Sequence, residues 1–339
     1  MQKILNKQII LEKRPIGKIK DGDLRFTEQA LEDIAEGSVL IENLYVSIDP
    51  THRIWMSSMR QYMEPINLGD VIRALGVGRV LLSKDPHLPQ GTIVTGELGW
   101  QTHSVRKTNE LFPVTFEPQP LSSLLSVFGL TGVTAYFGLL DIGEPKPGET
   151  VLVSGAAGAV GSVVGQIAKL KGCRVVGICG SDDKCDWLHN ELGFDAAIQY
   201  KRQDISKAIQ EACPDGVDIY FENVGGEILE HSLLQMNKFA RLVLCGLISN
   251  YNVTQAPEGV KNFAQILMQR IKVQGFIASD YIERWPEAIA ELATWVQQGK
   301  IKYKEDIVMG LSQIPSAVNK LFDGTNSGKL MAKVNTDLH

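Results

Sequence analysis

The pattern of apolar and polar positions along the chain changes near residue 125. Before that point, short apolar runs alternate with polar residues and are separated by Pro and Gly, as at residues 37–47, 77–82 and 91–94. Alternation with a period of two indicates half-buried strands, and frequent Pro and Gly indicate tight turns. The sequence therefore predicts a small antiparallel, barrel-like domain in residues 1–125.

From Thr150 onward, continuous apolar runs alternate with stretches of helical spacing, which predicts buried strands and amphipathic helices. The predicted strands are 151–154, 174–178, 196–199, 218–222, 240–244 and 272–275, and the predicted helices include 160–171, 183–192 and 285–298. Such alternation is typical of a parallel sheet with right-handed crossovers. The predicted fold class is α/β, a Rossmann-type doubly wound parallel sheet plus a β-rich domain. The tail from about 305 has a final predicted strand, 330–334, and is expected to return to the first domain.

The turn after the first of these strands is rich in glycine and reads Ser-Gly-Ala-Ala-Gly-Ala-Val-Gly-Ser over residues 154–162. Dinucleotide folds need glycine here, because the backbone must approach a pyrophosphate and the helix must pack closely on the strand. The spacing is GxxGxxG rather than GxGxxG, with Ala157 at the position of the middle glycine. In a strand–turn–helix context this turn predicts a dinucleotide site, and a purely structural turn is the alternative.

The end of the second strand selects the cofactor. An NAD enzyme usually has Asp or Glu there to hold the ribose 2′-OH, whereas residues 178–181 read Ile-Cys-Gly-Ser. The first acids, Asp182 and Asp183, are residues typical of a helix start. Lys184 could pair with a 2′-phosphate or could be a solvated helix lysine. The absent carboxylate favours NADPH over NADH.

Composition excludes some classes of partner. The chain has 339 residues and a net charge of −5, which predicts two domains and no basic face for nucleic acid or anionic membranes. No apolar run approaches the roughly 20 residues of a membrane span, and the charged N-terminal stretch does not resemble a signal peptide, so we expect a cytoplasmic location. Five cysteines without a CxxC pair suit free thiols in a reducing compartment, and neither they nor the six histidines cluster as zinc ligands.

Several motifs carry a resemblance to a known family. The stretches at 130–140, 147–153 and 156–173 resemble the medium-chain dehydrogenase/reductase superfamily. Asp-Ile-Tyr-Phe-Glu-Asn-Val-Gly-Gly at 218–226 and Cys-Gly-Leu-Ile-Ser-Asn-Tyr-Asn at 245–252 are similar to the prostaglandin and alkenal double-bond reductases and, closer still, to the bacterial curcumin reductases. The resemblance covers nearly the whole chain and is densest from 129 to 306.

This resemblance implies a zinc-free enzyme that reduces the C=C bond of an α,β-unsaturated ketone or aldehyde with NADPH. It implies a GroES-like substrate domain (1–127 and 305–339), a Rossmann NADPH-binding domain (128–304) and a homodimer joined through the cofactor domain. The implied cofactor contacts are Gly158, Ala159, Val160 and Gly161 at the pyrophosphate, Lys184 and Tyr200 at the 2′-phosphate end, Asn223 after the fourth strand, Cys245, Gly246, Leu247, Ile248, Ser249 and Tyr251 after the fifth, and Phe276, Ile277, Ala278 and Asn326 near the nicotinamide.

The first domain departs from the family pattern. Thr51 replaces a tyrosine that lines the substrate pocket in relatives, and Ala74-Leu75 replaces a Gly-Gly pair, with Arg73 just before it. Tyr62 does match a family aromatic near the pocket mouth. These departures leave the identity of the substrate open.

The reaction needs a hydrogen-bond donor for the carbonyl oxygen that becomes charged during hydride transfer. Tyr251, on the loop after the fifth strand, is the catalytic candidate; packing on the ribose or nicotinamide is its alternative role, and the ribose 2′-OH is the alternative donor. Two other functions stay open at this point. One is reduction of quinones with NADPH, and the other is binding of NADPH without turnover.

Overall fold

The computed structural model describes residues 4–31, 33–115, 120–255 and 259–335. Contacts between Cα atoms divide the chain into two compact units. Unit 1 consists of Met1–Leu125 and Glu305–His339, and unit 2 consists of Ser126–Lys304. Among the described helices, none combines the length and the apolar character that crossing a bilayer requires.

The described strands and helices follow one another along the chain. The strands are β1 (Leu5–Leu11), β2 (Leu24–Ala30), β3 (Ser38–Ser47), β4 (Leu75–Ser83), β5 (Ile93–Glu97), β6 (His103–Lys107), β7 (Leu111–Pro113), β8 (Thr150–Val153), β9 (Arg174–Cys179), β10 (Ala196–Gln199), β11 (Val217–Glu222), β12 (Met236–Leu244), β13 (Lys272–Gly275), β14 (Glu305–Met309) and β15 (Lys329–Lys333). The α-helices are α1 (Thr51–Trp55), α2 (Leu130–Phe137), α3 (Gly161–Leu170), α4 (Asp182–Asn190), α5 (Ile205–Ala212), α6 (Gly226–Leu233), α7 (Ala264–Gln269), α8 (Trp285–Gln297) and α9 (Ile314–Asp323).

Unit 2 is built on a parallel sheet of six strands in the order β10-β9-β8-β11-β12-β13. All five strand pairs in this sheet are parallel, so the carboxyl ends of the strands share one edge. All four residues of β8 are buried, as expected for a central strand that is covered on both faces. The chain runs outward from β8 to β10 and then crosses to β11, so the sheet has a topological switch point beside β8. The predicted α/β fold with a doubly wound parallel sheet is confirmed.

Strand β12 is longer than the sequence pattern predicts, because it begins at Met236 rather than at residue 240. After the buried Met236 come the polar Asn237 and Lys238 and the exposed Phe239, whose φ of +63° interrupts the regular strand. The pairing with β11 also shifts register between Val217 and Ile219. A strand with an irregular, solvent-facing start does not produce the continuous apolar run that marks a buried strand.

Unit 1 contains a sheet in the order β14-β15-β3-β4-β5-β7, with β6 also paired to β3, and a separate hairpin of β1 and β2. Apart from the parallel pair β14 and β15, these strands pair antiparallel. The tail of the chain joins this sheet because β15 pairs with β3. A core of apolar side chains packs behind it around the fully buried Trp100.

Candidate cofactor and active site

The glycine-rich turn connects the end of β8 to the start of α3. Gly155 has a φ of +57°, a left-handed conformation that glycine adopts readily, and its carbonyl accepts a hydrogen bond from the Gly158 N–H at 2.9 Å. A Cβ atom added at Gly161 would lie 2.5 Å from the Gly155 oxygen and 2.8 Å from the Ala156 Cα. Because both are backbone atoms, glycine is needed for the helix to start this close to the strand.

The start of α3 suits an anion. The helix has ten residues, and Val160 at its N-cap makes no side-chain capping hydrogen bond. The Ser162 and Val163 N–H groups donate to the Gly158 and Val160 carbonyls, both at 3.1 Å. A phosphate bound here would therefore meet the positive end of the helix dipole and the backbone of the turn that precedes Ser162. Ala159 and Val160 are partly exposed there, and their place along the pyrophosphate stays a prediction.

A buried carboxyl group joins the ends of β8 and β11. Glu222 is fully buried and accepts hydrogen bonds from the Ser154 hydroxyl at 2.7 Å, the Gly225 N–H at 2.9 Å, the Tyr220 hydroxyl and the Val224 N–H. Burial raises the pKa of Glu222, and these donors oppose the rise. No sequence motif predicted this network; its only trace in the sequence is the polar Ser154 and Glu222 at the ends of two predicted strands.

Asn223 is held against the same strand end. Its backbone N–H donates to the Ser154 hydroxyl at 2.8 Å, and its side-chain amide donates to the Ser154 carbonyl at 2.7 Å. The loop after β12 packs on this turn, because the Ile248 N–H donates to the Asn223 carbonyl at 3.2 Å and the Ser249 N–H donates to the Val224 carbonyl at 2.9 Å. The predicted residues 223 and 245–251 therefore lie together at the carboxyl edge of the sheet.

Tyr251 bonds back to its own loop. Its phenol oxygen accepts the Leu247 N–H at 3.2 Å, and a Cβ atom added at Gly246 would lie 3.3 Å from that oxygen. The N–H groups of Cys245 and Gly246 both donate to the Glu222 carbonyl, at 3.0 and 3.1 Å. Burial raises the pKa of Cys245 to about 12, so its sulfur is a protonated thiol at neutral pH.

The end of β9 opens into a pocket of about 340 Å³, lined by Gly180, Ser181, Asp182, Asp183, Gln199 and Arg202. Lys184 lies in the first turn of α4 and directly follows the lining residue Asp183. Burial lowers the pKa of Lys184, and the nearby charge of Lys201 lowers it further. Two cations that disfavour each other make a favourable place for a phosphate. Lys201 and Arg202, which no sequence motif singled out, lie in the same region.

Tyr200 closes one side of this region. Its backbone N–H donates to the Cys179 carbonyl at 3.2 Å, and its ring would lie 3.3 Å from a Cβ atom at Gly180. The Lys201 ammonium lies 6.0 Å from the centre of the Tyr200 ring, and Arg202 forms an ion pair with Asp182. The predicted residues of the 2′-phosphate end are thus neighbours in space.

The remaining predicted residues lie in two places. Phe276 follows β13, and its ring meets Phe221 edge to face with centroids 6.5 Å apart. Ala278 is buried, and its carbonyl accepts the indole N–H of Trp285 at 3.0 Å. Asn326 belongs to unit 1, where its side chain donates to the Gly328 carbonyl at 3.0 Å.

Of the departures from the family pattern, Ala74 is fully buried and Leu75 begins β4, whereas Thr51 lies in a cluster of unit 1 with Tyr62, the aromatic that matches the family. The Thr51 and Tyr62 hydroxyls are 2.5 Å apart, and the indole N–H of Trp55 donates to the Tyr62 oxygen at 3.2 Å. The Arg73 guanidinium lies 5.5 Å from the centre of the Trp55 ring and donates to the Glu64 carbonyl at 3.1 Å. Tyr62 is 49% exposed, so this group presents hydroxyls and an aromatic ring at the surface of unit 1.

Behind α1 lies a buried ion pair. Lys329 is 2% exposed, and its ammonium is 3.2 Å from Asp49 and donates to the Ile48 carbonyl at 3.1 Å. Burial favours a higher pKa for Asp49, but the charges of Lys329 and His52 lower it overall. His52 is fully buried, and that burial lowers the pKa of its ring.

Comparison with known proteins adds sequence and structural relatives. A family model described as the N-terminal domain of oxidoreductase matches residues 7–114, and one described as zinc-binding dehydrogenase matches residues 159–294. The second description names zinc, whereas the residues that the structure describes contain no group of three or more His, Cys, Asp or Glu side chains placed to hold a metal ion.

Curated relatives match the chain over nearly its whole length. An NADPH-dependent curcumin reductase of Escherichia coli (strain K12) is 41% identical over 341 residues, which cover 99% of both chains. An NADP(+)-dependent 2-alkenal reductase of Nicotiana tabacum is 40% identical over 342 residues, which also cover 99% of both. The solved structure of CurA from Vibrio vulnificus in complex with NADPH has a TM-score of 0.93 and 41% identity, and the match covers 97% of this chain and 99% of that one.

Proposed function

The chain belongs to the medium-chain dehydrogenase/reductase superfamily, in the zinc-independent group of the prostaglandin, alkenal and curcumin reductases, and from this premise we propose that it reduces the C=C bond of α,β-unsaturated ketones and aldehydes with NADPH. The observation that carries the proposal is the carboxyl edge of the unit 2 sheet. The glycine-rich turn, the pocket beside Lys184 and the loop of Tyr251 all follow strands that end at this edge. Doubly wound sheets bind dinucleotides there.

The residues at this edge fit NADPH. Gly155 and Gly161 allow the close turn that a pyrophosphate requires, and α3 begins there without a capping side chain. At the other end, Lys184 and Lys201 fit a 2′-phosphate, which would relieve their mutual repulsion. When bound, NADPH supplies the hydride.

Tyr251 is the proposed catalytic residue. The substrate carbonyl oxygen gains negative charge as the β-carbon is reduced, and the Tyr251 hydroxyl would donate a hydrogen bond to that oxygen. Accepting the Leu247 N–H polarises the phenol and makes it a stronger donor. The Glu222 carbonyl fixes the loop through two backbone N–H groups, which holds the phenol in place. Water supplies the final proton to the α-carbon.

The substrate side belongs to the same proposal. Thr51 and Tyr62 place two hydroxyls next to each other on unit 1. Threonine is smaller than the tyrosine that the family resemblance places at position 51, so we expect room for a bulkier substituent on the enone. A side chain as exposed as Tyr62 is available to a ligand.

A homodimer joined through unit 2 and a cytoplasmic location complete the proposal. Strand β13 is the last strand in the sheet order, and α7 just before it carries Leu267, which is 73% exposed. Phe263, next to α7, is 65% exposed. An edge strand beside exposed apolar side chains suits pairing with a second copy of the chain. The five free cysteines suit a reducing compartment.

Cofactor binding tests the choice of NADPH. Fluorescence titration should show tighter binding of NADPH than of NADH, and Lys184→Ala should weaken NADPH binding roughly five- to a hundredfold because an ion pair with the 2′-phosphate is lost. NADH binding should change little in that variant. Lys207→Ala is the matched control, since Lys207 pairs with Glu211 on α5, away from the pocket. Equal affinities of the wild type for NADPH and NADH would contradict the assignment.

Substrate class is tested by following NADPH oxidation with a panel of enones, enals and quinones. We expect turnover of enones and enals, with deuterium from a labelled cofactor appearing at the β-carbon of the product. Turnover of quinones alone would replace the proposal with a quinone reductase, and NADPH binding without any turnover would replace it with a binding protein. Dialysis against a strong chelator should leave the activity unchanged, whereas loss of activity that zinc restores would refute the zinc-free mechanism.

A further inference from the structure

Two thiols face each other at the end of β9. Cys179 is the last residue of the strand and is buried, while Cys185 is partly exposed in the first turn of α4. Their sulfur atoms are 2.8 Å apart, in hydrogen-bonding contact. A disulfide bond is about 2.05 Å long, so the sulfurs need to approach by only about 0.8 Å to become bonded.

We propose that Cys179 and Cys185 are a modification site, at which a peroxide forms an intrachain disulfide that weakens the binding of NADPH. The formation of the bond follows from the placement of the two sulfurs. The effect on NADPH rests on the proposed function, because it requires the 2′-phosphate to bind beside Lys184.

The oxidation proceeds in two balanced steps. The Cys185 sulfur, as thiolate, attacks one oxygen of hydrogen peroxide; the O–O bond breaks, and a sulfenic acid and hydroxide form. The Cys179 sulfur then attacks the sulfenic sulfur, the S–O bond breaks, and the hydroxyl leaves with the Cys179 proton as water. In total, two thiols and one peroxide give one disulfide and two waters.

The surroundings of the two thiols assign their order. Cys185 is the partly exposed member, so peroxide reaches it first. Burial raises the pKa of both thiols, but the hydrogen bond from Cys179 opposes the rise at Cys185 and adds to the rise at Cys179. Cys185 is therefore the attacking thiol, and Cys179 is the thiol that resolves the sulfenic acid. Raised pKa values make the reaction slow, so it responds to sustained peroxide rather than to a brief pulse.

The backbone couples this pair to the cofactor pocket. The chain between the thiols contains Gly180, Ser181, Asp182 and Asp183, which line the pocket, and then Lys184, which follows them in the first turn of α4. The Ser181 carbonyl accepts the Cys185 N–H at 3.1 Å and also faces the Cys179 sulfur at 3.7 Å. The end of β9 is fixed by its pairing with β10, so closing the S–S bond shifts residues 180–184 instead. That shift moves Lys184 out of the position in which it would contact the 2′-phosphate.

Peptide mapping tests whether the disulfide forms. The full-length, fully reduced protein is treated with excess hydrogen peroxide, alkylated and digested with trypsin without reduction. Cleavage after Lys184 separates the two cysteines into peptides 175–184 and 185–201, each with a single cysteine. We expect these peptides to be joined, at two hydrogen masses below their sum. Oxidation of Cys185 to sulfinic acid without the link, or a link through Cys173, Cys213 or Cys245, would overturn the proposal.

Cofactor titration tests the coupling. We expect oxidation to weaken NADPH binding at least about fivefold, the lower end of what loss of the Lys184 ion pair would cause, and dithiothreitol to restore it. NADH, which has no 2′-phosphate, should bind almost equally in both states. Bound NADPH should in turn shift the thiol–disulfide equilibrium toward the thiols, because coupling between two equilibria is reciprocal.

Two variants separate the possible causes. In Cys185→Ser the NADPH affinity should no longer respond to peroxide, whereas Cys213→Ala, which removes a buried thiol elsewhere, should respond like the wild type. A joined peptide with unchanged NADPH affinity would overturn the coupling while leaving the proposed function intact. If the reduced protein bound no NADPH at all, the proposed function itself would fail, and the peptide map would still decide whether the pair forms a disulfide.

Discussion

Side chains that never contact the substrate hold the proposed active-site loop in position. Glu222 uses both carboxyl oxygens on neighbouring hydroxyl and N–H groups, and its carbonyl accepts two N–H groups of the loop after β12. A buried carboxyl group with this many partners avoids the penalty of an unsatisfied polar atom, roughly 1–3 kcal/mol. The position of Tyr251 thus depends on Glu222, which ends the neighbouring strand β11.

Replacement of Tyr251 by Phe tests its role in the chemical step. The ring remains, so NADPH affinity should change little, whereas turnover with a reactive enone should fall by about 10²-fold because a donor to the charged oxygen is lost. A deuterated cofactor verifies that hydride transfer is being measured. Tyr45→Phe, on β3 of unit 1, serves as the control and should keep full turnover. An unchanged rate in Tyr251→Phe would mean that the Tyr251 ring only packs against the ligand and that the ribose hydroxyl donates the hydrogen bond.

Lys329→Met tests the buried ion pair of unit 1. Removing one member of a buried pair leaves an uncompensated charge, here Asp49, and the free energy of unfolding should fall by about 3–5 kcal/mol. Adding Asp49→Asn should recover part of the loss. The control is Lys18→Met, because the pair of Lys18 and Asp323 is exposed and should contribute less than about 1 kcal/mol. Urea unfolding measures all of these variants, and equal losses for Lys329→Met and Lys18→Met would contradict the argument.

At the scale of elements, the functional features lie where strands end and helices begin. The loops after β11 and β12 contact each other through backbone hydrogen bonds, and Ser154 after β8 bonds to Asn223 through its hydroxyl and its carbonyl. The turn after β9 opens into the pocket at the start of α4. Residues just after a strand are suited to bind ligands, because the sheet fixes the position of their backbone while their side chains no longer need to pack in the core. The strand interiors supply rigidity, and the connecting turns supply the chemistry.

Gly161→Ala tests the turn between β8 and α3. The added methyl group would collide with the backbone of Gly155 and Ala156, so the start of α3 must move away from the strand. We expect NADPH affinity to fall at least about tenfold, since phosphate contacts at a helix start depend on its position. Gly259→Ala is the control, because a Cβ atom there has open space. Circular dichroism should show the same helix content in both variants, and wild-type affinity in Gly161→Ala would mean that the turn tolerates the displacement.

At the scale of the whole molecule, stability should depend on pH through His52. Burial lowers the pKa of His52 below its ordinary value of 6.5, so between these two values the unfolded chain binds a proton that the folded chain does not. Stability is therefore fully present above about pH 6.5 and is lost as the pH falls, by up to about 1.4 kcal/mol per pH unit for one proton. The neighbouring Asp49 has a lowered pKa and extends the loss to more acidic pH, while the Lys329 charge disfavours a charged His52.

The measurement is the midpoint of urea unfolding at several pH values between 5 and 8. His52→Gln cannot be protonated, so its profile should be flatter than that of the wild type over this range, even if its stability at pH 8 is lower. His87→Gln, at an exposed position, should keep the slope of the wild type. Parallel profiles for the wild type and His52→Gln would show that another group causes the acid sensitivity.

Features that depend on local pattern were predictable from the sequence. The strands and helices of unit 2 lie close to their predicted positions, because apolar period and turn chemistry act over a few residues. The start of β12 escaped prediction, since the polar Asn237 and Lys238 interrupt the apolar pattern and Phe239 breaks the regular strand. The glycine-rich turn and the missing carboxylate after β9 could also be identified from the sequence, because dinucleotide sites require particular residue types at these positions.

Only the tertiary structure decided which distant residues meet. Ser154 and Glu222 are 68 residues apart in sequence, and Lys329 reaches the Ile48 carbonyl across 281 residues. Even Cys179 and Cys185, six residues apart, come into contact only because α4 folds back over the end of β9. Such contacts are set by the packing of whole elements, and a local sequence pattern carries no information about that packing. The sequence by itself therefore determined the class of fold and the kind of cofactor, while the folded chain decided the hydrogen-bond network, the buried ion pair and the facing thiols.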